Sequence, residues 1–242
     1  MQLSRRLQAV ADLVTTGSRI ADVGCDHAYT SIYLAERGIS PYIIAMDVNQ
    51  GPVDRAKENV RRYGCADRIE VRKSDGLEQL RSGEVDAILI GGMGGALTIE
   101  ILNKRPDILR ETKELILQPQ SEISKVRNMV IKSGFLIIKE NMVQEDGKYY
   151  VMMKAVQQTS VKNQEEYILT KQEHLYYGRL LLESKHPILR EYLIWELGIC
   201  EEVLGNLKAE QTENALARKK EFMAKIELIR CGLEYFDKER ES

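Results

Sequence analysis

Up to about residue 156 the chain alternates short apolar runs of β-forming residues with amphipathic helical stretches, the pattern of a parallel sheet covered by helices on both faces. The first five runs fall at 18–23, 42–47, 69–74, 85–90 and 115–118. Two more, at 135–139 and 149–156, are joined through the acidic turn Glu145-Asp146-Gly147. A parallel return needs a crossover of about ten or more residues, so this last pair must run antiparallel. The order predicts an α/β fold of five parallel strands with a terminal antiparallel pair.

After Val156 the pattern stops. A polar link, Gln157-Gln158-Thr159-Ser160, leads into a segment dominated by Leu, Glu, Lys, Arg and Gln, which is helical composition. Its apolar positions Leu204, Leu207, Ala215, Phe222, Ile226, Ile229, Leu233 and Phe236 are mostly three or four apart, with Gln211 and Arg218 interrupting the seam. Two readings stand side by side: a helical hairpin or short antiparallel coiled coil, and an amphipathic pair packed on the first domain. The expected domains are 1–156 and 157–242.

The chain carries 35 Lys and Arg against 37 Asp and Glu, which argues against a grossly basic polyanion binder but leaves room for a local basic face. No apolar run approaches the ~20 residues of a membrane span, and the start, Met1-Gln2-Leu3-Ser4-Arg5-Arg6, lacks the apolar core of a signal peptide. A cytoplasmic protein without a membrane partner is expected. Cys25, Cys65, Cys200 and Cys231 have no Cys-x-x-Cys spacing and none of a ligand set with His27, His174 and His186, so neither a metal nor a disulfide framework is expected. The oligomeric state stays open, with a monomer slightly favoured.

The chemistry concentrates at strand ends. Asp22-Val23-Gly24-Cys25-Asp26-His27-Ala28-Tyr29 follows the first strand and precedes a helix-like stretch at 31–37, so its small residues expose backbone N–H groups at the edge of a parallel sheet. A dinucleotide site would want Gly-x-Gly-x-x-Gly, whereas here the small residues after Gly24 are interrupted by Asp26, with Ala28 beyond it. A carboxylate in that loop repels a diphosphate and attracts a cation, such as the amino group or sulfonium of an amino-acid-bearing ligand. Asp47, with Val48 and Asn49 after it, ends the second strand where a carboxylate can accept from both hydroxyls of a ribose. Asp75-Gly76-Leu77 ends the third, where an acid and adjacent N–H groups can read an adenine edge. Taken singly, each acid is also compatible with an ordinary turn. Loop acid, ribose acid and adenine acid in one register describe a pocket for S-adenosylmethionine. Gly91-Gly92-Met93-Gly94-Gly95 then reads as a shaped floor that lets a planar group approach closely. The Asn/Asp-Pro-Pro-aromatic turn of many amino-methylating enzymes is missing there.

These residues resemble the bacterial tRNA (adenine-22-N1)-methyltransferase family. The resemblance rests on Ser4-Arg5-Arg6-Leu7, the run from Ile20 to Tyr29, Asp75-Gly76-Leu77, Gly91-Gly92-Met93-Gly94-Gly95 and Leu115-Ile116-Leu117-Gln118-Pro119-Gln120. Cys25 stands where a small hydroxyl residue is expected, and Gln120 where Asn is. The resemblance implies a Rossmann-like class I methyltransferase sheet with a C-terminal coiled coil, transferring a methyl group from S-adenosylmethionine to N1 of an adenine in tRNA. It places Asp22, Gly24, Asp26, His27, Asp47, Val48, Asn49, Asp75, Gly76, Leu77, Gly91, Gly92 and Met93 at the cofactor. Asp26 would hold the methionine or acceptor amino group, acting with Tyr29 in catalysis, and His27 and Tyr29 would line the donor end. Arg5 and Arg6 are the expected RNA cations; Arg55, Lys57, Arg61 and Arg62 are further candidates that could equally be a solvated helix face, and Arg218-Lys219-Lys220 could meet a tRNA arm.

Three other classes fit parts of the sequence. A methyltransferase for another RNA or a small acceptor shares the pocket. A nicotinamide-dependent oxidoreductase shares the sheet, but Asp26 opposes its diphosphate. A coiled-coil adaptor with a degenerate methyltransferase domain predicts loss of the pocket acids, whereas Asp22, Asp26, Asp47 and Asp75 are all present.

Overall fold

A computed structural model describes residues 1–207 and 212–237. The first unit, Met1–Ile168, contains α1 (Arg5–Ala11), β1 (Ile20–Val23), α2 (Tyr29–Glu36), β2 (Ile43–Asp47), α3 (Gln50–Arg62), β3 (Ile69–Lys73), β4 (Ala87–Met93), α4 (Gly95–Lys104), α5 (Pro106–Glu111), β5 (Glu114–Pro119), α6 (Ile123–Lys132), β6 (Phe135–Glu145) and β7 (Lys148–Gln157). The strands form one sheet in the order β3-β2-β1-β4-β5-β7-β6. The first five are parallel, and β7 pairs antiparallel with both β5 and β6. The expected five-plus-two sheet is therefore present, with the last strand of the hairpin inserted beside β5.

Every residue of β1 is buried, as the centre of a sheet covered on both faces requires. Val53, Ala56 and Val60 set the inward face of α3 at helical spacing, while Arg61 and Arg62 occupy its last turn. Ser4 caps α1 by accepting from the Leu7 N–H, and Pro106 opens α5 at a position where its missing N–H costs nothing. Because β2 and β4 flank β1 on opposite sides, the strand order reverses at β1 and β4, and a crevice opens beyond their C-terminal ends.

Several boundaries differ from the sequence reading, three of them with consequences. The helix after the first loop starts at Tyr29, because Ala28 takes a left-handed conformation as its N-cap (φ 58°). The fourth strand runs on through Gly91, Gly92 and Met93, so the glycine run is partly strand. β6 continues past the run at 135–139 to Glu145, with Glu140 paired with Arg127 of α6 at 2.8 Å and hidden from solvent.

The second unit, Leu169–Ser242, begins with a π-helical turn, His174–Gly178, that passes into α7 (Arg179–Glu183) and then α8 (Pro187–Leu207) and α9 (Glu213–Asp237). The division falls later than the polar link suggests, since 158–160 and 164–167 form short 3₁₀ helices and the second packs on β6. Leu193, early in α8, lies against Gly232, late in α9, and Glu196 and Glu201 pair with Lys225 and Arg230. The two helices therefore run antiparallel. Ile226, Ile229, Leu193 and Cys200 are buried in this unit, and Glu196 accepts from the hydroxyls of Tyr177 and Tyr192. Among the described residues no helix is long and apolar enough to cross a membrane.

Candidate active site

The crevice holds a cavity of about 250 Å³. Asp22 of β1 with Gly24, Cys25, Asp26 and His27 of the loop after it form one side, Leu89, Gly91 and Gly92 of β4 the floor, and Arg6, Leu7 and Val10 of α1 a wall; Tyr29, Thr30 and Gln120 complete it.

The loop owes its shape to local conformation. Gly24 (φ 72°), Asp26 (φ 46°) and Ala28 (φ 58°) alternate through the left-handed region. The N–H groups of Gly24 and Cys25 both donate to the Met46 carbonyl, at 2.8 and 2.9 Å, so the loop curls over the end of β2. At Gly24 a Cβ would come within 2.1 Å of Met93 Cε, so a side chain there would fill the passage between the loop and β4.

The acids differ in environment. Asp22 is 4% exposed and accepts from Ser31 Oγ at 2.6 Å; burial pushes its carboxyl up to about 6, against the lowering effect of the Ser31 hydrogen bonds. Burial, followed by the charges of Asp22, Asp47 and Asp26, raises the Cys25 thiol far above its ordinary range, which makes it an apolar wall and not a nucleophile. Asp26 is exposed at the mouth, 3.4 Å from both Arg55 Nη2 and His27 Nε2. The rings of His27 and Tyr29 stack with centroids 5.3 Å apart and planes within 9°. Asn59 of α3 donates to the His27 carbonyl at 3.0 Å and steadies the loop from behind.

Asp47, Val48, Asn49, Asp75, Gly76 and Leu77 lie outside this cavity, at the neighbouring ends of β2 and β3. Asp47 Oδ1 accepts the Asn49 N–H at 3.0 Å, and the Asp47 carbonyl accepts the Ser74 N–H, joining the two strand ends. Val48 is 51% exposed and Leu77 is buried. Asp75, exposed, pairs with Lys104 at 3.3 Å. Arg5 and Arg6 part company: Arg5 is exposed at the start of α1, whereas the Arg6 guanidinium lines the cavity and donates to Gln118 at 2.8 Å. Val10, Thr30 and Asn59 carry no local signal in the sequence, and Leu7 stands out only within the string Ser4-Arg5-Arg6-Leu7. Gln118 and Gln120 were visible only as a Gln-Pro-Gln string after an apolar strand.

These features fit S-adenosylmethionine. A glycine-narrowed passage beside the acids Asp22 and Asp26 suits its cationic amino-acid end, and the acids at the ends of β2 and β3 suit its adenosine. Sheet, switch point and acid-lined pocket define a class I methyltransferase that uses S-adenosylmethionine.

The comparisons agree. Residues 3–153 match a methyltransferase domain model. The chain is 32% identical to a tRNA (adenine(22)-N(1))-methyltransferase from Bacillus subtilis over 95% of this chain and 96% of the other. The crystal structure of the B. subtilis m1A22 tRNA methyltransferase TrmK superposes with a TM-score of 0.85 at 31% identity, covering 96% of this chain and 99% of that one. A Streptococcus pneumoniae protein described as a putative tRNA (m1A22) methyltransferase, solved with S-adenosyl-L-methionine, gives 0.83 at 29% identity over 96% and 100%. The chain belongs to the tRNA (adenine(22)-N(1))-methyltransferase family.

Proposed function

We infer that the protein transfers the methyl group of S-adenosylmethionine to N1 of adenine 22 in tRNA, in the cytoplasm. The observation that carries this reading is the extent of the match: a tRNA (adenine(22)-N(1))-methyltransferase aligns over 95% of the chain, so the helical unit is shared as well as the sheet.

The cofactor supplies a methyl group made electrophilic by its sulfonium. Asp47 is placed to accept from the ribose hydroxyls, Val48 offers an apolar surface to the adenine face, and Asp75 with the N–H groups of Gly76 and Leu77 reads its edge. Asp22 and Asp26 supply negative charge at the amino-acid end, and Asp26 at the mouth can hold an amino group of donor or acceptor. His27 and Tyr29 line the donor end. No side chain has to remove a proton, because adenine N1 already carries a lone pair: the N1–C bond forms as the C–S bond breaks, and the positive charge passes from sulfur to the ring. The work of the site is to hold N1 in line with that bond, with Gly91 and Gly92 letting the flat base come close. N1 lies on the Watson–Crick edge, so that edge must be free when the base enters. Arg5 meets RNA phosphate.

Incubating unmodified tRNA with the protein and S-adenosylmethionine, then digesting it to nucleosides, should yield 1-methyladenosine from wild-type tRNA and none from tRNA with guanine at position 22. Absence of 1-methyladenosine from the adenine-22 substrate would overturn the reading.

A further inference from the structure

We propose that Arg6 is a positioning residue for the acceptor base, acting through Gln118 on the glycine floor, and is not a phosphate-binding cation. The proposal rests on the methyl transfer inferred above.

In the β4–β5 ladder Gly91 is opposite Gln118 and Met93 is opposite Pro119, so Gly92 is an extra residue with no opposite number. It takes φ 77°, and its N–H turns out of the ladder. The side chain of Gln118 supplies the missing acceptor: Oε1 receives the Gly92 N–H at 3.0 Å. The same oxygen receives Arg6 Nη1 at 2.8 Å. Gln118 is 0% exposed, so neither bond competes with bulk water.

Arg6 is itself fixed from two further directions. Its guanidinium lies over the Tyr150 ring, 5.5 Å from the centroid, and its backbone N–H donates to Glu145 Oε1 at 3.3 Å. Tyr150 is on β7 and Glu145 ends β6, so one residue ties α1 to the antiparallel hairpin and to the bulge of β4. A phosphate-binding arginine needs its fork turned to solvent. Here one arm is spent on Gln118 and the plane is spent on Tyr150, within the cavity that also holds Asp26 and Tyr29. A glycine bulge offers many backbone conformations, and Arg6 with Gln118 selects one. That selection fixes the surface on which a planar base rests and hence the line from N1 to the methyl group.

Steady-state methylation of unmodified tRNA, tRNA binding as a function of salt, and calorimetry with S-adenosylmethionine test this on the full chain. Arg6→Ala, Arg6→Lys and Gln118→Ala should each lower kcat, by as much as on the order of 100-fold for the alanine variants, with cofactor affinity and tRNA Kd near those of wild type. Arg6→Lys tests charge separately from the planar fork and retains the side-chain bulk should the alanine variant fold poorly. The double variant Arg6→Ala/Gln118→Ala should be little worse than either single variant, since both break one chain of contacts. Arg5→Ala serves as the phosphate control, reducing the slope of log K against log salt by about one. If Arg6→Ala also reduces that slope and weakens tRNA binding while kcat is unchanged, or if Arg6→Lys restores full turnover, Arg6 is a phosphate contact and the proposal is overturned. Wild-type protein that forms no 1-methyladenosine overturns the functional reading instead, so the two failures are told apart.

Discussion

Ser31 Oγ donates a 2.6 Å hydrogen bond to Asp22 Oδ2 in a wall of the cavity that water hardly reaches. The side-chain and backbone hydrogen bonds from Ser31 do not offset burial, and the Asp22 carboxyl is pushed up to about 6 from an ordinary 3.8. Between those values the folded state holds the proton more tightly than the unfolded chain does. Stability of the cofactor-free protein therefore falls as pH rises from about 4 through 6 and is flat in this respect above. Asp22→Asn should remove that slope in a pH series of denaturant melts and stabilise the cofactor-free protein at pH 8 by about 1–3 kcal/mol. A cationic ligand prefers the ionised carboxylate, so S-adenosylmethionine affinity should weaken in calorimetry as pH drops below about 6 in wild type, and the Asp22→Asn variant should bind weakly throughout.

Asp26 is the opposite case. It is exposed at the mouth, 3.4 Å from both Arg55 and His27, so removing it should not unfold the loop. Asp26→Ala should retain the melting temperature of wild type while lowering kcat/KM for methyl transfer roughly 100- to 1000-fold, the scale of losing one oriented charged group at a reacting centre. Near-normal turnover would remove Asp26 from the site. Arg55→Ala bares the same carboxylate and should alter activity far less.

Two glycines separate conformational strain from collision. Gly95 opens α4, and a Cβ there would stand 2.3 Å from the Ser121 carbonyl oxygen, which is backbone and cannot step aside. At Gly24 the obstacle is the tip of the Met93 side chain, which can swing away, and what remains is φ 72°. Gly95→Ala should cost about 1–3 kcal/mol in denaturant melts. Gly24→Ala should cost about 1–2 kcal/mol, yet cause the larger loss in cofactor affinity, because the added methyl and the Met93 tip then crowd the passage between the loop and β4. The double variant Gly24→Ala/Met93→Ala should recover part of that affinity.

What the sequence made legible follows from which residues carry local signals. Strand runs such as 43–47 announce themselves by apolar content, and the acids Asp26, Asp47 and Asp75 by their place at strand ends. The placement of Arg6 does not, since an arginine before a strand reads as a surface cation; only the packing of α1 on β5, a non-local fact, brings Gln118 within 2.8 Å of it. Asn59 is hidden for the same reason: it lies on a helix face otherwise rich in charge, and it meets the loop through a carbonyl that sequence does not point to. The left-handed Asp26 and Ala28 are invisible too, because residues with a Cβ are held at positive φ only by the surrounding fold.

The same non-local logic explains the length of β6. Lys139-Glu140-Asn141 interrupts an apolar run, yet the strand continues through it because the Glu140 and Arg127 side chains, 1% and 0% exposed, neutralise one another at 2.8 Å. Neither charge could be buried alone. Glu140→Ala takes the carboxylate away from the buried guanidinium of Arg127 and should destabilise the protein by about 3–5 kcal/mol in urea melts. Replacing both partners with apolar residues of similar volume, as in Arg127→Met/Glu140→Leu, should recover most of that loss, because no unpaired charge remains. If the single and double variants lose equal stability, the pair's value lies in its packing and not in its charge. Either way methyl transfer by the folded fraction should be retained, since α6 and this part of β6 supply no residue to the cavity.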